Sequence, residues 1–182
     1  RVITPGTHAP ENPNENSFIA SIFPSHKGHG VAVTDISTGE FFIFETEEQI
    51  ADEMYRFYPR EILIPQGIST NIHYREVLDD FYLSVYEDWY FEYSEAYRSL
   101  LKHLRVASLE GFGCDGMNAA ISAAGALIHY LESTQRIPLN IKKITTLRDN
   151  SFMFLDATTQ RNLELLRRIQ DDSSEGTLLR VL

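Results

Sequence analysis

A chain of 182 residues with 43% hydrophobic and 23% charged residues has the makeup of an ordinary globular protein. No apolar run approaches the roughly 18 residues of a membrane span, and a single cysteine, Cys114, excludes an internal disulfide and fits a reducing, cytoplasmic setting. The net charge of −10 is uneven: residues 138–182 hold 7 Lys+Arg and 6 Asp+Glu, which leaves 9 and 20, or −11, for residues 1–137, and so acidic a surface repels phosphate backbones.

The chain opens Arg1-Val2-Ile3-Thr4-Pro5 with neither Met nor a signal-peptide core, so it is expected to be a piece of something longer. Residues 1–16, with three prolines and three asparagines, read as a surface segment. Ser17–Phe23, Gly30–Ile36 and Glu40–Phe44 are β-rich runs joined by short Gly-containing turns, which predicts an antiparallel meander. Thr46-Glu47-Glu48-Gln49 has the form of a capping box with Thr46 at the N-cap. The helix it opens carries Ile50, Met54 and Phe57 on one stripe and ends at Pro59. Glu61–Pro65 is a continuous apolar run, suited to a centrally buried parallel strand. Residues 72–79 predict a short helix, and Phe81–Trp89 alternates Phe81, Leu83 and Val85 as a strand would.

Ser94 is the expected cap of a helix through Val106 that buries Tyr97, Leu100, Leu101 and Leu104 and turns Glu95, Arg98, Ser99, Lys102 and Arg105 outward. Asn118–Gln135 is the strongest helix in the chain. Its alanines let neighbouring backbones approach closely, and Ile121, Leu127, Ile128 and Leu131 spread apolar groups around the circumference, so burial on several sides is expected. Asn118 is its expected N-cap and Pro138 its stop. Ile141–Leu147 reads as a short strand or an extended linker. Asp156 then caps a helix with Leu163, Leu166 and Ile169 on one face, and Thr177 opens another. The order β-β-β-α-β-α-β-α-α is that of an α/β, ribonuclease-H-like mixed sheet flanked by helices, placed at residues 1–137, with a linker and an α-helical segment at 138–182.

The chemistry-bearing patterns are sparse. Gly111-Phe112-Gly113-Cys114-Asp115-Gly116 is a literal G-x-G-x-x-G before a helix, but it lacks a strand-like lead-in, and Glu132 lies inside a helix instead of ending a second strand. A tight chain reversal is the better reading. The first β-run has no carboxylate, as a two-metal nuclease would require, and Asp35 and Glu45 only end later runs. His26 and His29 have no third ligand nearby, and Cys114 has nothing basic beside it. No Walker-type Gly-Lys-Ser/Thr occurs. Catalytic, cofactor and metal residues are therefore all assigned as none. Tyr86, Trp89, Tyr90, Phe91 and Tyr93 form a dense aromatic cluster among Glu87, Asp88, Glu92 and Glu95, better suited to packing a strand end on its helix than to stacking bases.

Arg1–Thr7, Asp35–Phe41, Pro59–Leu63, Ser108–Gly113 and Ala123–Leu127 together resemble the connector domain of the MutS family of bacterial DNA mismatch-repair proteins. Leu155–Leu165 and Gly176–Leu179 are similar to the start of that family's helical core, or lever, domain. The resemblance implies a non-catalytic connector with a ribonuclease-H-like fold. It implies that mismatched double-stranded DNA, ATP and Mg are bound by other domains of a cytoplasmic parent, a homodimer. It also implies a MutL-type partner, for which Arg98, Ser99 and Lys102 on the outer helix face are the expected contacts. The alternatives are a MutS-related paralogue outside mismatch repair and a ribonuclease-H-fold enzyme acting on nucleic acid.

Overall fold

A computed structural model describes residues 17–47, 49–134, 141 and 143–147 of the chain. Strand β1, Phe18–Ser25, lies inside a six-stranded sheet. Its Ile19, Ala20, Ser21 and Ile22 are all fully buried, because a strand covered on both faces carries a continuous apolar run and not an alternation. β1 turns back into β2, Gly28–Asp35, pairing antiparallel from Phe18 opposite Asp35 to Ser25 opposite Gly28. β2 pairs antiparallel with β3, Phe41–Thr46. The chain then crosses through helix α1, Ile50–Phe57, to β4, Glu61–Pro65, which runs parallel to β1 and is buried throughout. Helix α2, Ile72–Val77, leads to β5, Leu83–Tyr86, parallel to β4 at the edge.

Two helices follow, α3 (Tyr93–Leu104) and α4 (Asn118–Thr134), and β6 (Thr145–Thr146) joins β3 in parallel. The strand order is β5-β4-β1-β2-β3-β6, and its first five strands make the ribonuclease-H-like mixed sheet that the element order predicts. Residues 141 and 143–147, read from sequence as strand or linker beyond residue 137, supply β6 and place Ile141 and Ile144 in the same core as α4.

The two sheet faces have separate cores. Ala20, Ile22, Val31 and Ile62 face α1 and α2, whose Ile50, Met54 and Tyr74 complete that layer. Ile19, Ala32, Ile43 and Leu63 face α4, with α3 packed outside it. Burying each of Leu127, Ile128 and Leu131 on α4, at most 1% exposed, stabilises the fold by roughly 1.5–3 kcal/mol. Two glycines permit this layering. A Cβ on Gly30 of β2 would sit 2.0 Å from the Ala119 carbonyl carbon, and one on Gly125 would sit 2.2 Å from Ala96 Cα. The small-residue approach expected of α4 is thus made against α3 through Gly125 and Ala96.

Several local expectations are corrected. Thr46 does not cap α1: it is buried as the last residue of β3, opposite His29, and the N-cap position falls to Gln49 without a side-chain bond. Asp52 and Glu53 still occupy the positive first turn. Ser94 lies inside α3, whose N-cap is Glu92. The α3 face fully buried is Ala96 and Leu100, with Tyr97, Leu101 and Leu104 only partly buried. The strand expected over Phe81–Trp89 shortens to four residues, because Asp88–Phe91 winds into a 3-10 turn. Asn118 already belongs to α4, and the N–H groups of Ala119 and Ala120 donate to Oε1 of Glu45 at 2.9 and 3.3 Å. The expected stop at Pro138 and the helices after Asp156 and Thr177 lie outside the described residues.

Candidate interaction surface

On α3, close packing of Ala96 and Leu100 against α4 turns Arg98 and Lys102 outward. Ser99 is half-buried, not fully outward as expected, since it flanks the two residues that meet α4. Arg98 Nη1 donates to Glu95 Oε2 at 2.7 Å, so the charge of the expected cationic stripe is partly cancelled at its first member. Such an exposed i,i+3 pair contributes little stability. Arg105 ends the helix in a left-handed conformation, its N–H bonded to the Leu101 carbonyl.

Beside this stripe lies a second group from three separate elements. The His129 ring on α4 stacks on Tyr90 with centroids 3.9 Å apart, and Tyr90 meets Trp89 at 3.8 Å and stacks on Tyr86 at 4.6 Å. Tyr86 Oη and His129 Nδ1 are hydrogen-bonded at 2.8 Å. Burial pushes Tyr86 up to about 12. Burial also lowers the His129 pKa, outweighing the upward pull of Glu132 and Glu95, while Lys102 adds to the lowering. Trp89 and Tyr93 remain 49% and 43% exposed, whereas Phe91 is wholly buried and stacks on Phe23. The aromatic cluster is therefore divided between packing and surface. On α3 itself, His103 bridges α4 and the last described segment, Nδ1 to Glu132 Oε1 at 2.8 Å and Nε2 to the Ile141 carbonyl at 3.1 Å. Exposed aromatic and arginine groups on a rigid two-helix support have the makeup of a protein-binding surface.

The other sequence motifs are structural. Gly111–Gly116 makes a 3-10 turn and a reversal, with Gly113 at φ 70° and Gly116 at φ 80°. No strand precedes it, and the helix amides that would hold a phosphate already face the Glu45 carboxylate. Asp35 Oδ1 accepts from the Ser17 and Ser37 amides and the Ser37 hydroxyl. Glu61, invisible as a feature in sequence, is fully buried and accepts from the Ser84 and Tyr130 hydroxyls at 2.5 Å each. Among the described residues no three His, Cys, Asp or Glu side chains gather as metal ligands. Burial pushes the Cys114 thiol up, away from the reactive thiolate. A cleft of about 740 Å³ opens where β1 and β4 end, between Phe23, Pro65, Asp88 and the start of α4. No described helix is long and apolar enough to cross a membrane.

Comparison with known proteins places these features in a family. Residues 17–145 match the family model described as MutS domain II. The whole chain aligns at 43% identity with the DNA mismatch repair protein MutS of Thermodesulfovibrio yellowstonii, covering 21% of that protein. It aligns at 39% with the MutS of Alkaliphilus metalliredigens and at 36% with that of Protochlamydia amoebophila, covering 22% of each. The chain thus spans about a fifth of the length of the curated relatives it matches.

Proposed function

Since the chain belongs to the MutS family, with residues 17–145 matching its domain II, we propose that it works as a non-catalytic connector inside a longer DNA mismatch-repair protein. In this reading it links a mismatch-binding part to an ATPase part and offers one face to a MutL-type partner. Binding of mismatched double-stranded DNA, of ATP and of Mg belongs to the rest of a homodimeric cytoplasmic parent. In this reading residues 1–137 are the connector, and residues 138–182 are the linker and the start of the helical core domain.

The observation that carries the reading is the seating of α3. Gly125 brings its axis hard against α4, so Arg98, Ser99 and Lys102 sit on a firmly held helix beside the exposed Trp89 and Tyr93. Complementary charge on such a face mainly improves encounter and orientation. Changing Arg98 and Lys102 to Glu in the parent should weaken association with its MutL-type partner about tenfold at roughly 50 mM salt, and less at higher salt. The melting temperature should stay unchanged, because the only described ion pair lost is exposed. Unaltered binding at low salt would remove these residues from the interface.

A further inference from the structure

β5 closes one side of the sheet, and nothing pairs with its outer edge among the described residues. The Ile62 N–H donates to the Tyr82 carbonyl, with Ile62 opposite Leu83 in the parallel register. Parallel geometry then turns the groups of Ser84 toward β4 and leaves the N–H and C=O of Leu83 and Val85 facing outward. The edge is also apolar and open: Tyr82 and Val85 are each 53% exposed, and Trp89 just beyond is 49% exposed. Natural edge strands are usually blunted by a lysine, a proline or a bulge. This one has none of these between Phe81 and Tyr86.

Its charges lie at its two ends. Asp79 and Asp80 precede the strand and Glu87 and Asp88 follow it, all exposed, with no Lys or Arg between them. Three of the four are held by neutral donors: Asp80 accepts from the Tyr55 hydroxyl, Glu87 from the Trp89 indole, and Asp88 from the Gly67 amide. None is joined to a cation by an ion pair among the described residues.

We propose that the outer edge of β5 is a strand-addition site for an extended protein segment of alternating apolar residues flanked by basic ones. The main chain of Leu83 and Val85 would bind it, its alternate apolar side chains would lie with Val85 on the sheet face that Leu83 shares, and the acidic pairs would take its flanking cations. A second copy of this chain is the wrong occupant. Antiparallel pairing of two β5 edges would set Asp79 and Asp80 against Glu87 and Asp88 of the other copy, and parallel pairing would set like against like. This site uses none of Arg98, Ser99 and Lys102, although Trp89 borders both surfaces.

The test is titration of the 182-residue chain with a peptide of alternating Val and Thr capped by two lysines at each end, read by hydrogen exchange and by binding isotherm. In the free chain the Leu83 and Val85 amides should exchange fast and the Ser84 and Tyr86 amides slowly. The peptide should slow the first pair. Val85→Pro should weaken binding by roughly tenfold or more while preserving the melting temperature, because the Val85 N–H is outside the ladder. Val85→Lys should weaken it too, which keeps the test intact if proline disturbs the strand. The same peptide capped by glutamates should bind about tenfold more weakly. Unslowed exchange at Leu83 and Val85 with the peptide at about 1 mM would overturn the proposal. So would equal binding of the two peptides, or a dimer of the chain that Val85→Pro abolishes.

Discussion

Gly125→Ala gives the sharpest test of how α3 is held. The new methyl would lie 2.2 Å from Ala96 Cα and 2.4 Å from both its Cβ and its carbonyl oxygen. Ordinary carbon contacts lie near 3.5–4.0 Å, so α3 would have to retreat by more than ~1 Å. No rotamer relieves the clash, because a Cβ has none and the opposing atoms belong to or adjoin the backbone. Overpacking of this kind costs about 1–3 kcal/mol, and the upper end applies where neither side can swing away. Against it stands a gain of ~1 kcal/mol from replacing a mid-helix glycine by alanine. The net expectation is destabilisation by about 2 kcal/mol, a fall in melting temperature on the order of 6–10 °C for a domain of this size. Urea unfolding followed by circular dichroism should show a lower midpoint at unchanged slope. Ala96→Gly in the same chain should restore part of the loss by removing one of the opposed groups. A stabilised Gly125→Ala protein, the behaviour of an uncrowded helix, would refute the close approach.

Glu45→Ala should destabilise the fold by roughly 1 kcal/mol, since it strips the acceptor from two amides at the start of α4. Glu45→Gln, which keeps an oxygen, should lose less by the same unfolding assay. Tyr130→Phe removes one donor from the buried Glu61 carboxylate and should cost about 1–3 kcal/mol. For acid stability, His29 contributes alongside His129: burial, with help from His73, lowers its pKa below the usual 6.5. The folded state therefore binds fewer protons than the unfolded one below about pH 6.5. His29 then favours folding above that pH and loses the contribution as pH falls toward its depressed folded value. His29→Gln should flatten that part of the stability–pH curve, measured by urea midpoints from about pH 7 to 5.

The sheet was legible in sequence because its strands obey rules that operate residue by residue. Ile62, Leu63 and Ile64 make a continuous apolar run since layers cover both faces of their strand, and the small residues of α4 announced the close helix contact at Gly125. The caps were not legible. Thr46, Ser94 and Asn118 all satisfy the local rule for a cap, yet the β2–β3 ladder claims Thr46 and α4 takes its acceptor from Glu45, 74 residues earlier. A rule confined to a few neighbouring positions cannot see such a donor–acceptor pair. The same holds for the surface. Helical spacing gave the exposure of Arg98 and Lys102, but not Ser99, which follows from how closely α4 approaches. The stack of Tyr86, Tyr90 and His129 joins three elements by tertiary folding alone. Edge exposure of Val85 was hidden as well, since an alternating apolar strand reads alike at the centre and the border of a sheet.

The parallel pairing of β6 with β3 sets how the domain bears load. β1 and β3 run the same way and β6 follows β3, with Thr145 and Thr146 level with Phe42 and Ile43 of β3 and so with Ala20 and Ser21 of β1. A pull between Ser17 and Leu147 therefore runs obliquely across the sheet, from the start of β1 to a level near its middle three strands away. It loads the ladders partly along the strands and partly across them. The weakest link on that line is β6 itself, two residues long, tied by the Leu147 N–H to the Ile43 carbonyl at 2.9 Å and the Thr146 hydroxyl to the Phe112 carbonyl at 2.8 Å. Tension arriving from downstream would detach those few bonds first and leave the five-stranded body to carry force as a stiff plate.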